Sequence, residues 1–324
     1  MRALGEATTV FLVITLVRGP GDLLLAPLAS LAGDALAAAI LIWSVVRHGI
    51  RLAPTLDFSP IRPLLSRARS LVASALVGLL IFNSDLILLR FLVNREAVGL
   101  YAVAYTLITF LLNMGAAYSL SLLPTLTRTS SVPAEHHGLY HTATAHVFAL
   151  SLPVAIGGSL LARPIIEFVF GAGYERSAAA LAVLIWAIPL SLLRDVPVMA
   201  LLAWGSERRI FRLTAWAAGL NIALNLVLIP SYGLLGAAAA TVVTEAFRMV
   251  LALVAVREHG FELTPFSRLW KPLVAGTLMA AMVVVLASPA MWLAVAVGAL
   301  GYVFLLALMG GITITHGAFP SLNL

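Results

Sequence analysis

Between Asn221 and Glu245 the chain reads NIALNLVLIPSYGLLGAAAATVVTE: an apolar run, a short Pro/Ser/Tyr/Gly turn, and a second apolar run that opens on small residues. This is the pattern of a membrane helical hairpin, and stretches of similar length recur from one end of the chain to the other. A composition of 61% hydrophobic and 10% charged residues cannot cover the surface of a soluble 34.3 kDa domain. The solvent for such a surface is lipid. A hydrocarbon core about 30 Å thick requires roughly 20 apolar residues of helix. Spans of a β-barrel would alternate in polarity over about 10 residues, whereas these runs are continuous and rich in Ala and Leu.

The periodicity and the turn residues predict ten transmembrane helices, over 2–17, 22–46, 70–93, 97–123, 143–162, 178–203, 213–230, 235–255, 272–288 and 290–309. The expected fold class is an all-α polytopic membrane protein. Pro153, Pro189 and Pro197 fall inside spans, where a break survives only if neighbouring helices or a wet cavity satisfy the freed backbone groups. They are candidate hinges or static kinks. With ten spans both termini lie on one side, and thirteen of the twenty basic residues then share that side, against four opposite and three within spans. The positive-inside rule makes that side the cytoplasm.

A net charge of +6 would suggest nucleic acid in a soluble protein, but the arginines here occupy short loops beside apolar helices. Topology and anionic lipid account for them, and no nucleic-acid partner is expected. The absence of cysteine removes disulfides and thiolate metal sites. Arg2 and the apolar run after it could be read as a signal peptide, but a transmembrane span is the expectation. Glu6 interrupts the positive region, and the run ends in the turn Arg18-Gly-Pro-Gly-Asp22.

The interval 47–69 reads as a cytoplasmic linker lying on the membrane face, since Pro60 and Pro63 discourage a continuous helix. The loop Thr125 to His141 carries His137 and His141 at i, i+4, with Glu135 and His136 nearby. A solvated loop is the simpler home for these residues, and no metal is assigned to them. The segment Arg163 to Arg176 mixes apolar residues at helical spacing with Glu167 and is expected to lie along the outer interface.

Four segments together resemble the polysaccharide-transport branch of the multidrug, oligosaccharidyl-lipid and polysaccharide exporter superfamily. They are NSDLILLRFLVNREAVGLYAVAY from Asn83, SLLPTLTR from Ser121, RPIIEFVFGAGYERSAAALAVLIWAIP from Arg163, and the hairpin from Asn221. Members of that superfamily have two six-helix lobes around a central cavity, often followed by two more helices. The resemblance therefore implies an N-terminally truncated chain: 1–46 as the last two helices of the N-terminal lobe, 47–69 as the linker, 70–255 as a complete six-helix C-terminal lobe, and 256–324 as two additional helices and a short tail. It also implies function: a flippase moving polyprenyl-diphosphate-linked oligosaccharide across the bacterial inner membrane, with both termini cytoplasmic and with membrane lipids and a coupling cation as further partners. No enzyme chemistry and no cofactor are expected. A lipid II flippase or a multidrug/cation antiporter of the same superfamily remains open, as does a non-transporting remnant or assembly partner. Glycan identity, coupling ion and oligomeric state are not legible.

Ionisable side chains at mid-membrane are costly unless paired or hydrated, so each needs a reason. One span carries Asp85 and Arg90, a second Arg194 and Asp195, a third Glu245 and Arg248. Arg90, Arg194 and Arg248 are candidates for a cationic cavity wall that receives the diphosphate or acidic sugars, because guanidinium stays charged when desolvated and offers a fork of donors to phosphate oxygens. Asp85, Asp195 and Glu245 would hold those arginines without substrate, or bind a coupling ion. Glu245 and Arg248, three residues apart, can equally form a local pair. Asp85 and Arg90 lie roughly 140° apart around a helix, so each needs a partner elsewhere or Arg90 snorkels outward. Asn221 and Asn225 share one helical face and are read as helix-packing amides.

Overall fold

The computed structural model describes residues 2–22, 24–49, 61–129, 133–286, 291–314 and 320–322. Its elements are α1 Arg2–Leu16, α2 Leu25–Arg47, α3 Ile61–Leu92, α4 Arg95–Thr129, α5 Pro133–Leu160, α6 Ala162–Phe170, α7 Ser177–Leu184, α8 Ala187–Ala203, α9 Glu207–Tyr232, α10 Leu234–Arg257, α11 Trp270–Leu286 and α12 Met291–Leu308. Two three-residue strands, Ile312–Ile314 and Pro320–Leu322, pair antiparallel after α12.

Among the described residues eight helical stretches are long and apolar enough to cross a membrane, α7 and α8 together making one of them. Leu4–Leu16 and Trp270–Leu286 are shorter apolar helices. Large side chains on the outer faces are bare, with Phe91 81% and Leu24 80% exposed. A surface of that kind is stable only against lipid. The protein is an all-α polytopic membrane protein.

The chain divides into two compact units, 1–66 and 67–324. In the first, α1 and α2 form a close antiparallel pair. A Cβ on Gly33 would stand 2.5 Å from the Gly5 carbonyl oxygen, so the backbones touch where both side chains are absent. The Arg18 amide donates to the Asp22 carboxylate in the intervening turn.

In the second unit, α10 packs on α7, α8 and α9, while α4 packs on α7 and α8. The α9–α10 turn is tight, since a Cβ on Gly236 would meet the Leu228 carbonyl oxygen at 2.3 Å. The pair α11–α12 lies against α5, where the Tyr302 hydroxyl donates to the Ala149 carbonyl at 2.7 Å.

Two expectations are revised. Helix α3 begins at Ile61, inside the interval expected to be a linker, with Pro63 in its first turn. A proline is tolerated there because the first-turn N–H groups have no intrahelical acceptor. Residues 50–60 lie outside the described ones. The loop expected over Thr125 to His141 is mostly helix: α4 continues through Pro124 to Thr129, and α5 starts at Pro133. His137 and His141 are used in packing. The His137 ring lies 4.5 Å from that of Phe261, and His141 Nδ1 meets the Thr264 hydroxyl at 3.2 Å. Phe261, from the α10–α11 connection, also packs on Tyr140 and Trp204 and pins that connection to α5 and α8. Among the described residues no group of three metal-ligating side chains occurs. The three prolines left as hinges or kinks differ in setting. Pro153 and Pro197 sit inside continuous helices, whereas Pro189 follows a true break between α7 and α8.

Candidate functional site

Two buried polar clusters lie along α10, whose Thr241, Thr244, Glu245 and Arg248 recur at i, i+3, i+4 and i+7 and so share a face. The first is centred on Asp85 of α3, which is fully buried. Its Oδ2 accepts from the Tyr101 hydroxyl of α4 at 2.8 Å and from the Thr241 hydroxyl. Its Oδ1 accepts from the Asn225 amide of α9 at 2.6 Å. That amide also reaches Asn221 Oδ1 at 3.1 Å, which takes a second bond from the Ser84 hydroxyl at 2.7 Å. The Asn221 amide in turn donates to Thr244 Oγ1 at 3.2 Å. Four helices thus meet around one carboxylate, and every hydrogen-bond donor to it is neutral. Asn225 Oδ1, turned the other way, is buried with no hydrogen-bond partner among the described residues.

The second cluster is centred on Glu245, 1% exposed at the side chain. One of its oxygens accepts from Arg194 Nη1 at 2.9 Å and from the Ser191 hydroxyl at 2.7 Å, both on α8. The other accepts from Arg248 one turn further along α10. Arg194 also holds its neighbour Asp195 at 2.6 Å. Two guanidiniums and two carboxylates balance, which is how buried charge is retained. A small pocket of about 80 Å³ adjoins them, walled by Arg194, Asp195, Thr214 and Arg248 with apolar side chains of α8, α9 and α10.

The structure therefore brings together Arg194, Asp195, Glu245 and Arg248, and separately Asp85, Asn221 and Asn225. It does not join Arg90 to either cluster. The residue is exposed near the end of α3. The expectation that Asp85 holds an arginine is corrected. The angular offset between residues 85 and 90 turns the carboxylate toward α4, α9 and α10, where hydroxyls and an amide meet it. Asn221 and Asn225 make hydrogen bonds to other helices and complete the Asp85 network. Ser84, Tyr101, Ser191, Thr241 and Thr244 were not singled out in the sequence. The stripe of Thr241, Thr244, Glu245 and Arg248 was the available signal.

A third feature is apolar. A cavity of about 750 Å³ opens between α4, α5, α7 and the pair α11–α12, lined by residues such as Phe110, Pro153, Leu181, Ile185, Met279 and Val303. Its walls offer almost no polar surface, and its size is that of a ligand site.

The fold and its clusters describe an all-helical membrane lobe with buried charges and an apolar cavity, and the sequence comparison gives it a family. The profile of the family described as "Polysaccharide biosynthesis protein" matches residues 10–179. The chain belongs to that family. It is similar to "Probable flippase AglR" of Haloferax volcanii, 28% identical over 204 residues that cover 60% of this chain and 42% of the relative. It is also similar to "Probable low-salt glycan biosynthesis flippase Agl15" of the same organism, 23% identical over 197 residues with the same shares covered. The chain thus spans about two-fifths of the length of these curated relatives. Its fold matches that of "Lipid II flippase MurJ, inward closed conformation" with a TM-score of 0.74 at 13% identity, over 95% of this chain and 66% of the other.

Proposed function

We propose that the chain acts in moving a polyprenyl-linked glycan across the cytoplasmic membrane, the inner membrane in a bacterium, with both termini on the cytoplasmic side. The observation that carries this reading is the apolar cavity between α4, α5, α7 and the pair α11–α12. A site lined by hydrocarbon and set among membrane helices suits a long isoprenoid chain, and burial of each methylene contributes about 0.8 kcal/mol. The named flippases among its relatives support the same reading. The work is transport without covalent chemistry.

Arg90, Arg194 and Arg248 are proposed to meet the diphosphate or acidic sugars in succession. In the described conformation Arg194 and Arg248 are occupied by Glu245 and Asp195, and the adjoining pocket is only about 80 Å³. A phosphate reaches them when α8 and α10 part and the carboxylates yield. Arg90, being exposed, is available from the start.

The Asp85 network fits a coupling cation. One buried carboxylate and the hydroxyls of Tyr101 and Thr241 form an all-oxygen donor set of the kind hard cations take. Asp85, Tyr101 and Thr241 would hold the ion, which would supply the positive charge this carboxylate lacks. The same feature would serve a cation-coupled multidrug antiporter, which is the second reading.

Vesicles containing the chain and a fluorophore-labelled polyprenyl-diphosphate N-acetylglucosamine separate the two. Glycan flipping predicts that the label on both leaflets becomes accessible to an impermeant quencher. Label protected as in empty vesicles, together with cation-dependent drug efflux, would instead identify the antiporter.

A further inference from the structure

The apolar run Ser177–Ala203 is a single 27-residue membrane stretch, yet it is built as α7 and α8 with a break at Ile185–Trp186. The break follows from Pro189, which has no N–H to return to the Ile185 carbonyl; Ile188 N donates to that carbonyl instead, at 3.1 Å. Trp186 N turns to the Val183 carbonyl at 3.2 Å, which leaves the Ala182 carbonyl without its helical donor. In lipid such a group must find another. Ser159 of α5 supplies it, its hydroxyl donating to Ala182 O at 2.9 Å. The preceding residue, Gly158, contributes by lacking a side chain: a Cβ there would lie 2.0 Å from Ile185 Cδ1. Two consecutive residues of α5 therefore hold the break, one with a donor and one with a notch.

What lies on either side gives the break a use. Leu181 and Ile185 form part of the wall of the apolar cavity, as do Gly157 and Gly158. Six residues beyond Ile185, about 9 Å along a helix, Ser191 begins the contacts that α8 makes with Glu245, continued by Arg194. The cavity wall thus includes the side chain at the joint, where an occupant can press on it.

Resting on the reading of that cavity as a site for an isoprenoid chain, we infer that Gly158 and Ser159 are positioning residues for a hinge at Ile185–Trp186, through which chain entry re-aims Ser191 and Arg194 at Glu245. A rigid kink would have the same hydrogen bonds and would not respond to an occupant.

The chain has no cysteine, so spin labels can be placed across the joint with Ala179→Cys and Leu202→Cys in the full chain, in nanodiscs. Adding geranylgeraniol shifts the inter-label distance peak in the otherwise wild-type protein. Gly158→Ala, which evicts Ile185 from its notch, abolishes the shift, and Ser159→Ala abolishes it while Ser159→Thr restores it. A merely structural role predicts lower melting temperatures with the shift intact, which overturns the inference, as does a wild-type peak that geranylgeraniol leaves in place. If Gly158→Ala does not fold, the Ser159 pair decides alone. A hinge that moves in a chain that flips no labelled glycan sinks the proposed transport and leaves the hinge standing. Flipping with a fixed peak does the reverse.

Discussion

The two polar clusters on α10 are built on opposite principles. Around Glu245, two guanidiniums and a neighbouring carboxylate close the charge account within the lobe. Around Asp85, the helices bring only hydroxyls and an amide to the carboxylate, and they bury an amide oxygen with nothing to receive. A balanced cluster is self-sufficient and holds α8 to α10. A carboxylate met only by neutral donors costs several kcal/mol to keep ionised in a low-dielectric interior unless a cation joins it. On the proposed reading, the difference separates a lock from a receptor on one helix.

The largest effect is expected from breaking the balanced cluster. Glu245→Gln leaves Arg194 and Arg248 facing each other, and a broken buried pair costs about 3–5 kcal/mol, to be read as a lower unfolding midpoint of the purified protein. Adding Arg248→Gln should recover part of that loss. If the double variant is no better than the single, the three residues do not act as one unit.

A smaller effect is expected at the other cluster. Thr241→Val removes one hydrogen-bond donor from a buried acceptor, a loss of about 1–3 kcal/mol. The same change should raise the sodium concentration that half-saturates any stabilisation, whereas Glu245→Gln should leave that concentration unchanged. Equal responses in the two variants would erase the distinction between the clusters.

The smallest effect on stability belongs to Arg90. It is exposed and stands apart from both clusters, so Arg90→Gln should change the unfolding free energy by no more than about 0.5 kcal/mol. A direct contact with a phosphate would nonetheless be worth about 1.5–3 kcal/mol, so uptake of labelled glycan should fall roughly tenfold or more. Unchanged uptake removes Arg90 from the substrate path.

The helices were largely legible in the sequence, because a membrane span announces itself by length and continuous apolarity. What sequence missed depends on three-dimensional partners. Pro63 looked like a helix breaker and is a first-turn residue, a distinction that turns on where the helix begins. Pro189 could be marked as a hinge or a kink, but the donor that makes its break tolerable, Ser159, lies 23 residues from the carbonyl it serves. In the candidate site, the charged residues stood out because they are rare in apolar runs. The spacing of Asp85 and Arg90 already showed that they diverge. Tyr101 and Thr241 did not stand out, since such residues are common in membrane helices and acquire meaning only when four helices converge on one carboxylate.

The contrast between the two clusters rests on the proposal that a cation enters the lobe at Asp85. Its direct test is the unfolding midpoint of the reconstituted chain titrated with sodium at constant ionic strength, against choline, for the wild type and Asp85→Asn. Specific binding stabilises by about 2.7 kcal/mol at a hundred times the dissociation constant. The account predicts a saturating rise with sodium in the wild type and a flat line in Asp85→Asn. A midpoint that ignores sodium in both, or climbs equally in both, contradicts it.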